Sequence, residues 1–431
     1  MNYLLSIFVI GLIIFFHELG HFLAAKKLGM QVLKFSIGFG PSLVSFKRGE
    51  TEYCISWLPL FGGYVKLAGE SLLGRKGTPE EFASQPKRKR LAVFLSGPLA
   101  NFLLAVGIYS LVFSQGIQNP VMLTTKLVGE VTKGSPAEKA GLQAGDLILT
   151  IDGREMKDWN EIAQVIAFNP ERELRIEILR DEQRLMKSVI PEKESTLGIG
   201  DIGISAYLIP QIGEVLKGSP AEKAGLQSGD LVLAVDGGEI RDWTQLVENI
   251  RANQAEYLTF LVKRGDQKLS FQIKPYFDPK AGRRLIGISY YTKQRYSLPS
   301  AVYQGIREAK DTIWLTITAV GKIVSGKLTL RGLAGPVGMV QMTGEVARSG
   351  WQPFLFFAAF ISANLALVNL LPIPIADGGQ ILFVGLETIR RRPLTLQQQV
   401  IIQQVGIVFL IALFLLVTYN DLIRLLNLGG K

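Results

Sequence analysis

The stretch FFHELGHFLA, residues 15–24, decides how the rest of the chain is read. It holds the only two histidines among 431 residues, His17 and His21, with Glu18 between them, inside an almost unbroken apolar run from Tyr3 to Ala25. On a helix, side chains four residues apart share a face, so the two imidazoles stand together. Such a pair can hold one zinc ion while Glu18 activates water, the H-E-x-x-H arrangement. Two imidazoles and a carboxylate are costly inside lipid without a function or a partner. The plain alternative is a polar cluster that cements helix packing.

The apolar run at residues 3–25 is close to the roughly 20 residues that a bilayer crossing needs. No basic segment precedes it and polar side chains interrupt it, so it reads as an uncleaved span rather than a signal peptide. Similar runs at 91–113, 351–372 and 400–423 give four expected spans. The formal net charge of +10 is concentrated beside them, in Lys26 and Lys27, PKRKR (86–90) and RRR (390–392). This is the positive-inside pattern: 26–90 and 376–399 are expected in the cytoplasm, with both termini and 114–350 outside. No nucleic-acid-reading motif accompanies the charge, which excludes that class of partner and leaves the lipid bilayer as the expected one. A single cysteine, Cys54, excludes an intrachain disulfide framework.

Between the first two spans, residues 31–75 alternate apolar and polar side chains and are broken by Gly and Pro, which predicts β-hairpins. Either they lean on the helices at the membrane, or they form a small cytoplasmic subdomain. In the middle of the chain GEVTKGSPAEKAGLQAGDLIL (129–149) recurs as GEVLKGSPAEKAGLQSGDLVL (213–233), predicting two tandem α/β domains, at 123–195 and 196–277. The glycine-rich LGIGDIGI (197–204), with Gly200, Asp201, Ile202, Gly203 and Ile204, is expected either to receive a peptide carboxylate for the second domain or to form a simple hairpin. Residues 297–330 have apolar side chains at helical spacing and predict an amphipathic helix on the outer membrane surface; a fifth span would strand RRR outside.

Catalytic zinc sites commonly have three protein ligands and one open position. With no third histidine, the remaining ligand is an Asp, a Glu or Cys54. Asp377, in NLLPIPIADGG (369–379), is the best placed, at the end of the third span. Pro372 and Pro374 interrupt the helix there, and Gly378 and Gly379 allow a sharp turn that can expose backbone to an extended substrate. Asn364 and Asn369 could hydrogen-bond an oxyanion or the substrate backbone, or could be helix-packing groups. The small residues and Asn101 of SGPLAN (96–101) are explained by close helix packing.

Taken together, these motifs resemble the bacterial site-2 proteases of the RseP type, over essentially the whole chain and in motif order. His17, Glu18 and His21 match the family's H-E-x-x-H, and Asn369 to Gly378 match its N-x-x-P-x-P-x-x-D-G. GFGP (38–41), GGYVKLAGE (62–70), SGPLAN and GLAGPVG (332–338) resemble further landmarks. One departure is Ala376, where a larger aliphatic residue commonly precedes the Asp. The resemblance implies zinc held by His17, His21 and Asp377, Glu18 as the catalytic acid and base, and substrate contacts by Asn364, Asn369, Pro372 and Pro374. It implies a polytopic protein of a bacterial inner membrane: a first helix at 1–30, a membrane-associated β region at 31–75, helices at 91–113, 351–375 and 400–423, and two inserted circularly permuted PDZ domains facing the periplasm. The active site is then near the cytoplasmic side. The implied substrate is a single-span membrane protein already trimmed by another protease, an anti-sigma factor. The rival readings are a membrane-bound PDZ scaffold or chaperone, a transporter, and a zinc protease of soluble chains.

Overall fold

A computed structural model describes residues 2–70, 77–120, 126–194, 199–279, 282–326, 328, 335–392 and 395–428. The ends of several expected segments (71–75, 123–125, 195–198, 327 and 329–330, and the start of GLAGPVG) lie outside the described residues. The chain divides into two compact units, one of residues 1–115, 296–320 and 333–431, the other of 116–295 and 321–332.

The first unit contains α1 (Asn2–Lys27), strands β1 (Val32–Arg48) and β2 (Thr51–Leu67), then α2 (Lys87–Gln115), α3 (Leu298–Val324, of which residues 321–324 fall in the second unit), α4 (Pro336–Arg348), α5 (Trp351–Leu370), α6 (Asp377–Arg390) and α7 (Leu396–Leu428). Among the described residues four helical stretches are long and apolar enough to cross a membrane: Phe8–Lys27, Lys87–Gln115, Trp351–Leu370 and Gln397–Ile423. Their outward side chains include Leu23, Leu103, Val408 and Phe414, all exposed, which fits lipid rather than water as the surrounding solvent. The chain is a polytopic membrane protein.

Small residues let these helices approach closely, as is usual where lipid removes the hydrophobic drive for association. A Cβ on Gly20 of α1 would lie 2.4 Å from the Ser96 carbonyl oxygen of α2. Against α2, α5 buries Ala358, Ala359, Ala363 and Ala366, and its Ser362 hydroxyl donates to Asn101 O at 2.8 Å. Within 297–330 the chain forms the helix α3. Its stripe of Ala301, Gly305, Ala309 and Thr312 is buried. A Cβ on Gly305 would meet Val106 O and Ser110, and Tyr109 shares a 3.2 Å hydrogen bond with Thr312. This face of α3 packs on α2, while Tyr303 and Trp314 remain exposed. Asp421 of α7 is buried and accepts the Gly335 and Gly338 N–H groups at 3.1 and 2.8 Å, capping the start of α4.

The sheet of β1 and β2 leans on α1 through Phe35 and Tyr53, whose rings meet Phe15 and Phe22. Residues 34–37 pair with 52–55 and also with 63–66, so the hairpin folds back on itself. Leu43, Phe46 and Trp57 are left exposed on it.

The second unit holds the repeat. From Pro136 and Pro220 to Gln183 and Gln267, each element of the second copy begins 84 residues after its counterpart, Leu147 and Leu231 or Leu174 and Leu258, for example. The first four-stranded sheet orders Arg154–Glu155, Leu147–Ile151, Leu174–Arg180 and Gln183–Val189; the second orders Gly238–Glu239, Leu231–Val235, Leu258–Arg264 and Gln267–Ile273. The shared GSPAEKAG is a helix start: Ser135 and Ser219 accept the N–H of Glu138 and Glu222. In GLQ-x-GD, the buried Asp146 and Asp230 accept from Arg180 and Arg264 and from the N–H of Gln143 and Gln227.

LGIGDIGI, expected to serve the second copy, belongs to the first: Ile202 is in its core, with Val128, Ile148 and Ile176. Ile204–Ala206 also pairs with Val128–Val131 of that copy. The corresponding segment of the second copy lies beyond residue 277: Ile286 is in its core, and Ile288–Ser289 pairs with Glu214–Val215. The first copy thus extends to about 206 and the second to about 289.

Candidate active site

The site is assembled on one face of α2. His21 Nδ1 is 2.8 Å from Val93 O. A carbonyl can only accept, so this nitrogen carries the proton and Nε2 presents its lone pair. Asn101 and Asn369 place their Nδ2 atoms 3.3 Å from His17 Nδ1. Asn101 Oδ1 is buried without a partner. With that amide turned end for end, its oxygen would accept a proton from His17 Nδ1, and His17 Nε2 would then keep its lone pair. Gly97 gives the rings their room: a Cβ there would be 2.3 Å from His21 Nε2 and 2.7 Å from His17 Cε1.

Asp377 arrives from the other end of the chain. After α5, the Pro372–Ala376 turn leads at once into α6, whose first residue is Asp377. The turn requires glycine, because a Cβ on Gly378 would lie 2.2 Å from Leu371 O and one on Gly379 2.2 Å from Ile373 O. Pro374 in turn packs on Gly406 of α7.

The three side chains converge. His17 Nε2 and His21 Nε2 are 3.2 Å apart, Asp377 Oδ2 is 3.1 Å from the first and Asp377 Oδ1 3.3 Å from the second. Three lone-pair-bearing groups facing one point, one of them a buried carboxylate oxygen without a hydrogen-bond donor, make a cation site. Ligands ~2.0–2.1 Å from a tetrahedral zinc stand about 3.3 Å from each other, and these separations fit. Among the described residues His17, His21 and Asp377 are the one group of this kind.

Glu18, beside His17 on α1, reaches toward β2. Its Cγ is 3.2 Å from where a Gly63 Cβ would be, and its carboxylate engages the Val65 backbone. Cys54, the other ligand weighed from sequence, is buried in the sheet with Sγ directed at Phe35 O. Asn369 lies beside His17, its Nδ2 3.3 Å from each ring nitrogen. Asn364 is engaged elsewhere: its Oδ1 accepts from Thr316 Oγ1 at 2.6 Å and its Nδ2 donates to Phe360 O at 2.9 Å. Gly97 and Asn101 were read from sequence as packing residues only. The signal was a polar amide in an apolar run, which needs a partner, and here the partner is His17.

In the second unit, a groove of about 400 Å³ runs between the Trp243–Ala252 helix and residues 285–290, lined by Trp243, Val247, Ile250, Arg284 and Gly287. At the equivalent place in the first copy, the Asp201 carboxylate accepts the Gly203 N–H at 2.9 Å.

Residues 5–413 match the model of peptidase family M50. The chain is 32% identical to the regulator of sigma E protease of Haemophilus influenzae, with 97% of this chain and 98% of that one covered. It is also 32% identical to the regulator of sigma-E protease RseP of Escherichia coli, with the same coverage. Among solved structures, a PDZ domain of an SdrC-like protein from Listeria monocytogenes is 26% identical over 18% of this chain and 83% of its own, with a TM-score of 0.17. The match along nearly the whole chain agrees with the convergent His17, His21 and Asp377, and the chain belongs to peptidase family M50, as a zinc metalloprotease of the regulator-of-sigma-E-protease type.

Proposed function

We propose that this chain is an intramembrane endopeptidase that cuts the membrane-spanning segment of a single-span protein already trimmed outside the membrane, an anti-sigma factor. The observation that carries this reading is that His17 and His21, on a helix apolar enough to cross a bilayer, converge with Asp377, which stands just past the end of another such helix. The relatives named for regulating sigma E support the substrate class.

Zinc bound by these three residues supplies Lewis acidity, which acidifies water and polarises a carbonyl. Glu18 takes the proton of the attacking water and delivers it to the leaving amine. Asn369, beside His17, donates to the substrate backbone or the developing oxyanion. Pro372 and Pro374 hold the turn open on the substrate side, and the 63–67 edge of β2, next to Glu18, pairs with an extended substrate. The exposed Leu43, Phe46 and Trp57 seat that sheet at the membrane interface. Asn364, committed to Thr316, serves to hold α5 on α3.

The two copies in the second unit act as circularly permuted PDZ domains outside the cytoplasm. Support comes from the strand that closes each copy lying after its sheet, and from the groove beside Trp243. They admit trimmed substrates and obstruct bulky ectodomains. The Gly200–Ile204 loop is closed on itself by Asp201, so the carboxylate-receiving role passes to its counterpart at 284–288.

The test is a cleavage assay with a pre-trimmed single-span substrate in proteoliposomes. Native protein is expected to release two membrane-derived fragments and Glu18→Gln none. Cleavage confined to soluble chains would overturn the proposal. For the orientation, an impermeant thiol reagent on intact cells is expected to label Gln183→Cys and not Arg391→Cys.

A further inference from the structure

The basic first turn of α2 does more than its charge accounts for. Cations at a helix N-terminus oppose the helix dipole, so KRKR is locally unfavourable there. Three of its four side chains have specific acceptors. Lys89 Nζ donates to Leu28 O at 3.1 Å, just past the end of α1. Lys87 Nζ donates to Glu387 O at 3.1 Å, a carbonyl of the last turns of α6. Arg90 Nη1 donates to the Glu387 carboxylate at 3.0 Å, with both side chains largely buried and the guanidinium over the Phe82 ring. The helices tied in this way, α1 and α6, carry all three metal-site residues.

Arg90 also continues the stripe that builds the site. Residues 90, 93, 97 and 101 follow one face of α2. Along it come the ion pair to α6, the acceptor for His21, the space for both rings and the amide beside His17. Glu387 lies ten residues from Asp377 on the same helix, about 15 Å away along its axis. A rigid helix pinned at that distance cannot slide or rotate without displacing its first residue.

We propose that the Arg90–Glu387 pair, with Lys87 and Lys89 beside it, is a positioning device that locks α6 to α2 and so sets Asp377 against His17 and His21. It rests on the reading of Asp377 as a ligand. Neither Arg90 nor Glu387 touches metal or substrate; both act through Asp377.

The experiment compares purified full-length native protein with Glu387→Gln, Arg90→Ala, the reversed pair Arg90→Glu with Glu387→Arg, and Asp377→Ala. Zinc affinity is read by competition with a chromophoric chelator, kcat and KM on the trimmed substrate, and Tm as a check on folding. Each single variant is expected to bind zinc about tenfold or more weakly, the scale of loss for residues that orient ligands. The loss should fall on kcat more than on KM. The reversed pair, which keeps the same number of charges on that side of the protein, should recover most of both. Zinc retained by Asp377→Ala would overturn the ligand reading and this proposal with it. Zinc lost by Asp377→Ala but held at native affinity by Glu387→Gln would overturn the positioning role alone, as would a reversed pair that is folded and no better than the singles.

Discussion

His21 Nδ1 stands 2.8 Å from Val93 O, and this single hydrogen bond aims the other nitrogen of His21 at Asp377. Because the acceptor is backbone, no substitution at Val93 removes it. The ring can be displaced from below, at Gly97. Gly97→Ala would set a methyl 2.3 Å from His21 Nε2, inside any tolerable contact. The expected result is a protein that inserts normally but loses zinc affinity by at least about tenfold. Titration with a competing chelator checks it, and native affinity in Gly97→Ala would contradict the geometry.

Removing the metal and removing the base should be separable. A strong chelator is expected to abolish cleavage, with zinc restoring it. Glu18→Gln should keep its zinc, since Glu18 lies outside the ligand trio, yet lose at least about 100-fold in turnover, the lower range for a missing acid–base group. Metal analysis of the purified variant alongside the cleavage assay tests both statements.

Asn364 and Thr316 share a 2.6 Å hydrogen bond between α5 and α3. If that contact is what Asn364 provides, Asn364→Ala and Thr316→Val each cost about 1 kcal/mol of stability, and the double variant costs no more than about that again in total. kcat/KM on trimmed substrate should stay within about twofold in all three. A large loss confined to Asn364→Ala would return the residue to the substrate.

The metal site was legible wherever its logic is local. His17, Glu18 and His21 are one helical turn, and a proline-broken span end points to Asp377. Gly97, Asn101 and Glu387 were not legible, because their roles exist only once α2 packs against α1 and α6. The KRKR cluster explained itself too easily as topology, which hid its hydrogen bonds. The boundary between the repeats is hidden in the sequence for a different reason. Each copy is closed by a segment that follows its sheet, so IGIS at 202–205 looked like the opening of the second copy. The same four residues recur at 286–289, the signal that would have placed it.

The repeated Asp–Arg pairs hold the inserted copies together rather than the catalytic unit. Asp230 is fully buried and accepts two bonds from Arg264, as Asp146 does from Arg180. Asp230→Ala strands a half-buried guanidinium and the Gln227 N–H, and should destabilise the second copy by about 2–3 kcal/mol. Limited proteolysis should then cut within 208–290 first, while cleavage of trimmed substrate persists. Loss of that activity would show that the copies support catalysis directly.

The two copies should differ in peptide capture, for a reason visible in one pair of positions. In the first copy Asp201 occupies the Gly203 N–H, the donor that the proposed carboxylate capture would use. The equivalent position in the second copy is Leu285, which offers no such acceptor, beside a groove with an apolar wall of Trp243, Val247 and Ile250. A peptide ending in an apolar residue with a free carboxylate is therefore expected to bind the full-length protein through the second copy. Amidating its C-terminus should weaken binding about tenfold or more, the scale of a lost hydrogen bond to a charged group. Leu285→Asp should have the same effect by closing the loop as Asp201 does, and Asp201→Leu should open a second site. Fluorescence polarisation with the free and amidated peptides on each variant measures this. Equal binding of both peptides, or native affinity in Leu285→Asp, would remove the carboxylate from the recognition mechanism.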